Sequence, residues 1–139
     1  MNINTEKAFE ILTKNKYTCV ICKDEKKFTS RKRGIKPLLE FLESDTDFVG
    51  ASAADKVVGK AAAFIYVLIG VKEVYAPVIS VSAKKVFSDN GIKCFYEKMP
   101  DMIINREGTG CCPLEYSVKK TENVEEALVI IKKNLEKLK

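Results

Sequence analysis

Gly50-Ala51-Ser52-Ala53-Ala54-Asp55-Lys56-Val57-Val58-Gly59-Lys60, continuing as Ala61-Ala62-Ala63-Phe64-Ile65-Tyr66-Val67-Leu68-Ile69-Gly70, is the stretch on which the fold turns. Ser52 followed three residues later by Asp55 has capping-box spacing, in which side chains satisfy the free N–H groups of a first helical turn. The pattern predicts a helix starting at Ser52. From Ala61 to Ile69 that helix is apolar on every side, so its second half has no solvent face and must be enclosed by other elements. Its entrance is different, with Asp55, Lys56 and Lys60 around the small Gly59. A buried helix with a charged, glycine-containing mouth is where a site is expected.

On either side of this stretch the chain alternates between short helices and strands. Ala8, Phe9, Ile11 and Leu12 have helical spacing within residues 4–14. Tyr17 to Cys22 is rich in β-branched and aromatic residues, and with 27–30 it forms an expected hairpin turning at Lys23-Asp24-Glu25-Lys26. Gly34 opens a short helix from Ile35 to Leu42, with Pro37 tolerated in its first turn. After the central helix, Glu73–Ile79 reads as a buried strand and Ala83–Ser88 as a helix capped by Ser82. Asn90-Gly91 stops that helix, and Ile92–Tyr96 follows as a strand. Strand–helix–strand spacing implies parallel pairing with a crossover. Met102–Asn105 reads as a last short strand. Asn123-Val124-Glu125-Glu126 is another capping box, opening a helix whose stripe is Val124, Ala127, Leu128, Ile131, Leu135 and Leu138. This order predicts one domain over residues 1–139, a three-layer α/β/α sandwich with a mixed sheet.

With 46% hydrophobic and 31% charged residues over 139 positions, the chain has an ordinary globular composition. No apolar run approaches the roughly 18 residues that span a bilayer, and the first residues have no signal-peptide pattern, so a cytoplasmic protein without membrane contact is expected. The five cysteines are then expected as free thiols. There is no histidine. That excludes Ser-His-Asp and Cys-His catalysis and every zinc site using imidazole. A net charge of +5 suits a small anionic ligand.

Three segments are similar to a known family: 33–39 (Arg33-Gly34-Ile35-Lys36-Pro37-Leu38-Leu39), 52–63 (Ser52 to Ala63) and 105–115 (Asn105 to Glu115). They resemble a domain of unknown function, found in bacteria and archaea, that is assigned a cytidine deaminase-like fold. The resemblance spans nearly the whole chain and implies that fold; it implies no established activity. Zinc-dependent deaminases place a His or Cys, followed by a catalytic Glu, at one helix start and Pro-Cys-x-x-Cys at the next. Here the first position offers Asp55 and Lys56, and the second offers Pro77-Val78-Ile79-Ser80-Val81-Ser82 without cysteine. No zinc or other cofactor is expected.

Five sets of residues are candidates for chemistry. Lys56 and Lys60, four apart on the predicted helix, share one face and suit a phosphate or carboxylate; alternatively both are solvated and Asp55 only caps the helix. In the fold that the resemblance implies, Ser80 and Ser82 and the loop Asn105, Arg106, Gly108, Thr109 and Gly110 would meet the central helix start and complete an anion pocket, where two glycines let backbone approach a ligand. Cys111 or Cys112 at a helix start marked by Pro113 would be a nucleophile of lowered pKa, with Glu115 or Lys60 moving protons; the alternative is a pair of inert buried thiols. Cys19 and Cys22 form Cys-x-x-Cys on a strand, where residues three apart point to opposite faces, so they are structural. Arg31-Lys32-Arg33 with Lys23, Lys26, Lys27 and Lys36 is the densest basic patch. No aromatic stacking pattern accompanies it, so a solvated sheet edge is favoured over nucleic acid as a partner. Assembly into a homo-oligomer is compatible with the sequence and not specified by it.

Overall fold

The computed structural model describes residues 1–32, 34–101 and 117–137, and these build a mixed α/β domain. Helix α1 (Ile3–Lys14) starts at Asn2, whose Oδ1 accepts the Thr5 N–H at 2.8 Å. Strands β1 (Cys19–Lys23) and β2 (Lys26–Ser30) form the expected hairpin, turning at Asp24 with φ of 56°. Helix α2 (Lys36–Glu43) carries Pro37 in its first turn.

The next segment departs from expectation. Ser52–Asp55 is a strand, β3, and Val57–Val58 another, β4; helix α3 starts only at Lys60, with Gly59 in the capping position, and ends at Ile69. The capping-box reading of Ser52 and Asp55 is therefore wrong, and Lys56 lies outside the helix. Tertiary burial overrides local pattern here. Ser52, Ala53 and Ala54 are completely buried, as suits a central strand covered on both faces by closely approaching helices.

Strand β5 (Glu73–Ile79) follows as expected. Helix α4 spans Val81–Asp89, capped by Ser80 rather than Ser82, because the Ser80 Oγ accepts the Ala83 N–H at 3.1 Å. Strand β6 (Lys93–Lys98) comes next, and the last described element is helix α5 (Val124–Lys137). Asn123 caps α5 by accepting the Glu126 N–H at 2.8 Å. The strand expected at 102–105 lies outside the described residues.

The six strands make one mixed sheet. β1 is antiparallel to both β2 and β3, whereas β3, β4 and β6 all run parallel to β5. Ser52 pairs with Glu73 and Val57 with Val78, so β4 continues β3 along the same side of β5, with β6 on the other. Both segments change face between these pairings. Ala53 and Val58 share the larger core, as do Ala76 and Ile79, so both strands turn over near Lys56 and Pro77 while their pairing register stays constant.

The helices divide between the two faces. The larger core joins α2, α3, α4 and α5 to the sheet through Leu38, Phe64, Ile65, Val86, Phe87 and Ile131. Ala8 and Leu12 of α1 pack on the opposite face against Val20, Cys22, Ala54 and Tyr75. Helices thus cover both sides, in the predicted three-layer arrangement. Cys19 belongs to one core and Cys22 to the other, as their spacing on a strand requires. No helix among the described residues is long and apolar enough to cross a membrane.

Gly70 closes α3 in the left-handed region, with φ of 94°. A Cβ there would lie 3.1 Å from Val49 Cγ2 and 3.3 Å from Val49 Cα. Gly70→Ala is therefore expected to cost about 1–3 kcal/mol, read as a lower urea midpoint with an unchanged slope. A midpoint equal to the wild type would show that the helix end carries no such constraint.

Candidate functional site

The carboxyl ends of parallel strands are where α/β sheets commonly hold ligands. Here β4 feeds α3 and β5 feeds α4 at one end of the sheet, and the Ser80 N–H donates to the Val58 carbonyl at 3.0 Å. The two helix starts are therefore adjacent. Ser80 is completely buried, and its Oγ lies 3.3 Å from the Ser82 Oγ.

Lys60 occupies the first position of α3 with only 7% of its side chain exposed. A cation there opposes the positive end of the helix dipole, so helix stability does not account for its placement. Its Nζ donates to the Lys119 carbonyl at 3.0 Å, lies 3.4 Å from Glu122 Oε1 and sits 5.8 Å from the Phe64 ring centroid. The other Glu122 oxygen is 3.6 Å from Lys85 Nζ, which also pairs with Asp89 at 3.1 Å. Ammonium groups from α3 and α4 thus share one carboxylate.

Asp55 ends β3 and faces inward. Its Oδ2 accepts the Tyr66 O–H at 2.7 Å, and its Oδ1 lies 3.3 Å from the Val57 N–H. Cys19 Sγ lies 3.2 Å from the same Tyr66 oxygen. With Asp55 ionised, the single tyrosine proton points at the carboxylate, so the thiol donates to the phenol oxygen and the three groups form a polarised chain. Burial pushes the Asp55 carboxyl from an ordinary 3.8 up to about 7, with the Tyr66 and Val57 hydrogen bonds acting in the opposite direction. Burial, followed by the Asp55 charge, also raises Tyr66 and Cys19 well above their usual ranges, which makes Cys19 a poor thiolate.

The predicted residues separate accordingly. Lys60, Ser80 and Ser82 are gathered at the two helix starts, with Asp55 close in the chain at the end of β3. Lys56 is exposed on the link between β3 and β4, and does not share a helical face with Lys60. Asn105, Arg106, Gly108, Thr109, Gly110, Cys111, Cys112 and Glu115 lie outside the described residues. In the basic patch, Lys32 pairs with Glu40 at 2.7 Å, Lys23 lies 3.7 Å from an Asp47 oxygen, and Arg31 stacks over Tyr17. Sequence reasoning missed Tyr66, Cys19, Lys85 and Glu122. Only Tyr66 carried a signal, as the one polar side chain in the apolar run from Ala61 to Ile69.

The described helix starts do not fit a catalytic zinc ion. Gly59-Lys60 and Ser80-Val81-Ser82 supply neither thiolate nor imidazole, and no three acidic or cysteine side chains converge among the described residues.

A mixed sheet with helices on both faces and two crossover helices starting side by side defines the class of domain. The family described as "TM1506: Domain of unknown function (DUF1893)" matches residues 7–135, and the chain belongs to it. The chain is also similar to a DUF1893 family protein, TM1506 from Thermotoga maritima, whose crystal structure was determined at 2.70 Å. The match covers 99% of this chain and 92% of that one, at 28% identity and a TM-score of 0.85. No curated protein matches.

The Asp55 carboxyl has a sign that can be tested. Its pKa is higher folded than unfolded, so its contribution to stability is full below about pH 4 and is lost as pH rises through about 7. Asp55→Asn removes this titration while leaving a carbonyl for Tyr66. Relative to wild type, the variant's melting temperature is expected to rise between pH 4 and 8. Parallel melting curves for the two proteins across that range would exclude a raised Asp55 pKa.

Proposed function

We propose that this protein is a cytidine deaminase-like domain that binds a small anionic, nucleotide-derived ligand without zinc. The reading of the fold rests on the three sequence segments that resemble that family, and it agrees with two adjacent crossover-helix starts at one end of a mixed sheet. The reading of the ligand rests on one observation: a nearly buried ammonium, Lys60, at that same end of the sheet.

Removing a buried charge from water is costly unless oppositely charged or polar groups surround it. Among the described residues, the Lys119 carbonyl and the loosely placed Glu122 carboxylate contribute to this. An anionic group from a ligand would add to this stabilisation, with the Ser82 hydroxyl as a further hydrogen-bond partner. Asn105, Arg106, Gly108, Thr109 and Gly110 belong to the proposed pocket on the sequence argument. The thiol reading, with Cys111, Cys112 and Glu115, remains the alternative drawn from sequence.

Calorimetric titration with pyrophosphate and the nucleoside monophosphates tests the reading. At least one of these is expected to bind, and Lys60→Met is expected to weaken it about tenfold or more while the circular dichroism spectrum is retained. Ser82→Ala, a milder change, is expected to weaken the same ligand a few-fold. Equal affinity in all three proteins, or no binding across the panel, would refute the proposal.

A further inference from the structure

The carboxylate shared by the two lysines carries a consequence for what the site accepts. Glu122 reaches Lys60 with one oxygen at 3.4 Å and Lys85 with the other at 3.6 Å. Charge-assisted N–H···O bonds usually close to about 2.7–2.9 Å, so both contacts are loose. The Glu122 side chain is 66% exposed, whereas the Lys60 side chain is 7% exposed. The cation is fixed in the protein, and the anion reaches it from solvent.

The backbone carrying Glu122 is held independently of that side chain. The Thr121 N–H donates to the Val118 carbonyl at 3.1 Å, both residues are buried, and Asn123 caps α5. The carboxylate can therefore swing away without unravelling the segment. If it does, Lys60 keeps the Lys119 carbonyl and Lys85 keeps Asp89. What is lost is the carboxylate that, among the described residues, spans both ammonium ions.

We infer that Glu122 is an internal stand-in for the ligand's anionic group, held between Lys60 and Lys85 until a phosphate group displaces it. This rests on the anion-binding reading above and narrows it. A monocarboxylate would replace Glu122 with its equal and gain little. A phosphate or phosphate monoester at pH 8 carries nearly two charges and three acceptor oxygens, enough to span both lysines and outcompete a tethered carboxylate. The ligand class is therefore phosphate rather than carboxylate. Glu122 sets a threshold affinity by competing within the chain.

Calorimetric titration with inorganic phosphate at pH 8 and about 0.15 M salt, where the Debye length is about 8 Å, tests the inference on wild type, Glu122→Gln and Glu10→Gln. The last removes an equal charge from α1, on the opposite face of the sheet. An exposed, loose ion pair is a weak competitor, so Glu122→Gln is expected to bind phosphate roughly three- to tenfold tighter. Glu10→Gln should stay within about twofold of wild type, since exposed charges more than a Debye length away are largely screened. Glu122→Asp, with a shorter arm, should fall between wild type and Glu122→Gln, and gives the answer if the glutamine variant folds poorly. Binding by Glu122→Gln equal to or weaker than wild type would overturn the stand-in role while leaving the anion site intact. An equal gain in Glu10→Gln would reduce the effect to net charge and also overturn it. If neither wild type nor Glu122→Gln binds phosphate, the inference falls; pyrophosphate and nucleotide binding, with its loss in Lys60→Met, then decides the broader reading separately.

Discussion

A helix without a polar face has to be enclosed, and α3 is that helix. Seven of its ten residues are buried. Full burial of a large apolar side chain is worth about 1.5–3 kcal/mol, so leaving Phe64 or Ile65 in water would consume much of a small domain's stability. The sheet, α2, α4 and α5 all pack on this core. The same enclosure leaves Tyr66 with a hydroxyl in the interior, where an unpartnered polar group costs about as much as a lost hydrogen bond. Asp55 and Cys19 meet that demand, and a carboxyl group with a raised pKa follows from satisfying it.

The same physics orders the charged end of the domain. Where β4 and β5 pass into their helices, backbone groups are already committed, with Ser80 bonding both to Val58 and to the first turn of α4. Lys60 enters this setting as a cation in an unfavourable helical position and in little contact with water. Among the described residues, the Lys119 carbonyl and the shared Glu122 carboxylate hold it. A purely structural solution would be an apolar residue there, since replacing buried ion pairs with hydrophobic groups is often neutral or stabilising. Retaining the charge is what directs attention to a ligand.

Much of the architecture was legible because it follows from periodicity. The alternation of Cys19 to Cys22, the apolar run of Glu73–Ile79, the Asn90-Gly91 stop and the Asn123 cap each fix an element through local chemistry. The central stretch was not legible in the same way. Ser52-Ala53-Ala54-Asp55 is poor in strand-forming residues, and small residues on a strand carry no periodic signal. Only their burial on both faces makes it a strand, and that depends on α1 and α3, which are distant in the pairing pattern. Lys60, Ser80 and Ser82 lie at the two helix starts, although the first of these lies eight residues later than the local pattern suggests. Glu122 was invisible because nothing in Thr121-Glu122-Asn123 distinguishes a carboxylate that reaches across the fold from one that faces solvent.

The misread pattern nonetheless uses the chemistry it appeared to promise. An aspartate that captures a backbone N–H can cap a helix, or it can tie down the residue two places on at a turn, and Asp55 does the second with Val57. That local tie sits where the chain turns over between β3 and β4, opposite the matching turn of β5 at Pro77. Pro77 has no N–H to give the sheet, so a break there is less costly than elsewhere in the strand. Were the two strands regular, strict alternation would turn Val57 and Val78 toward the larger core and send Val58 and Ile79 to the α1 side. The chain would then leave both strands facing the wrong layer, with Lys60 and Ser80 starting away from the helices they must pack against. The matched irregularities therefore set the geometry of the candidate site, because they turn the ends of both strands toward the same core one residue before the helices begin.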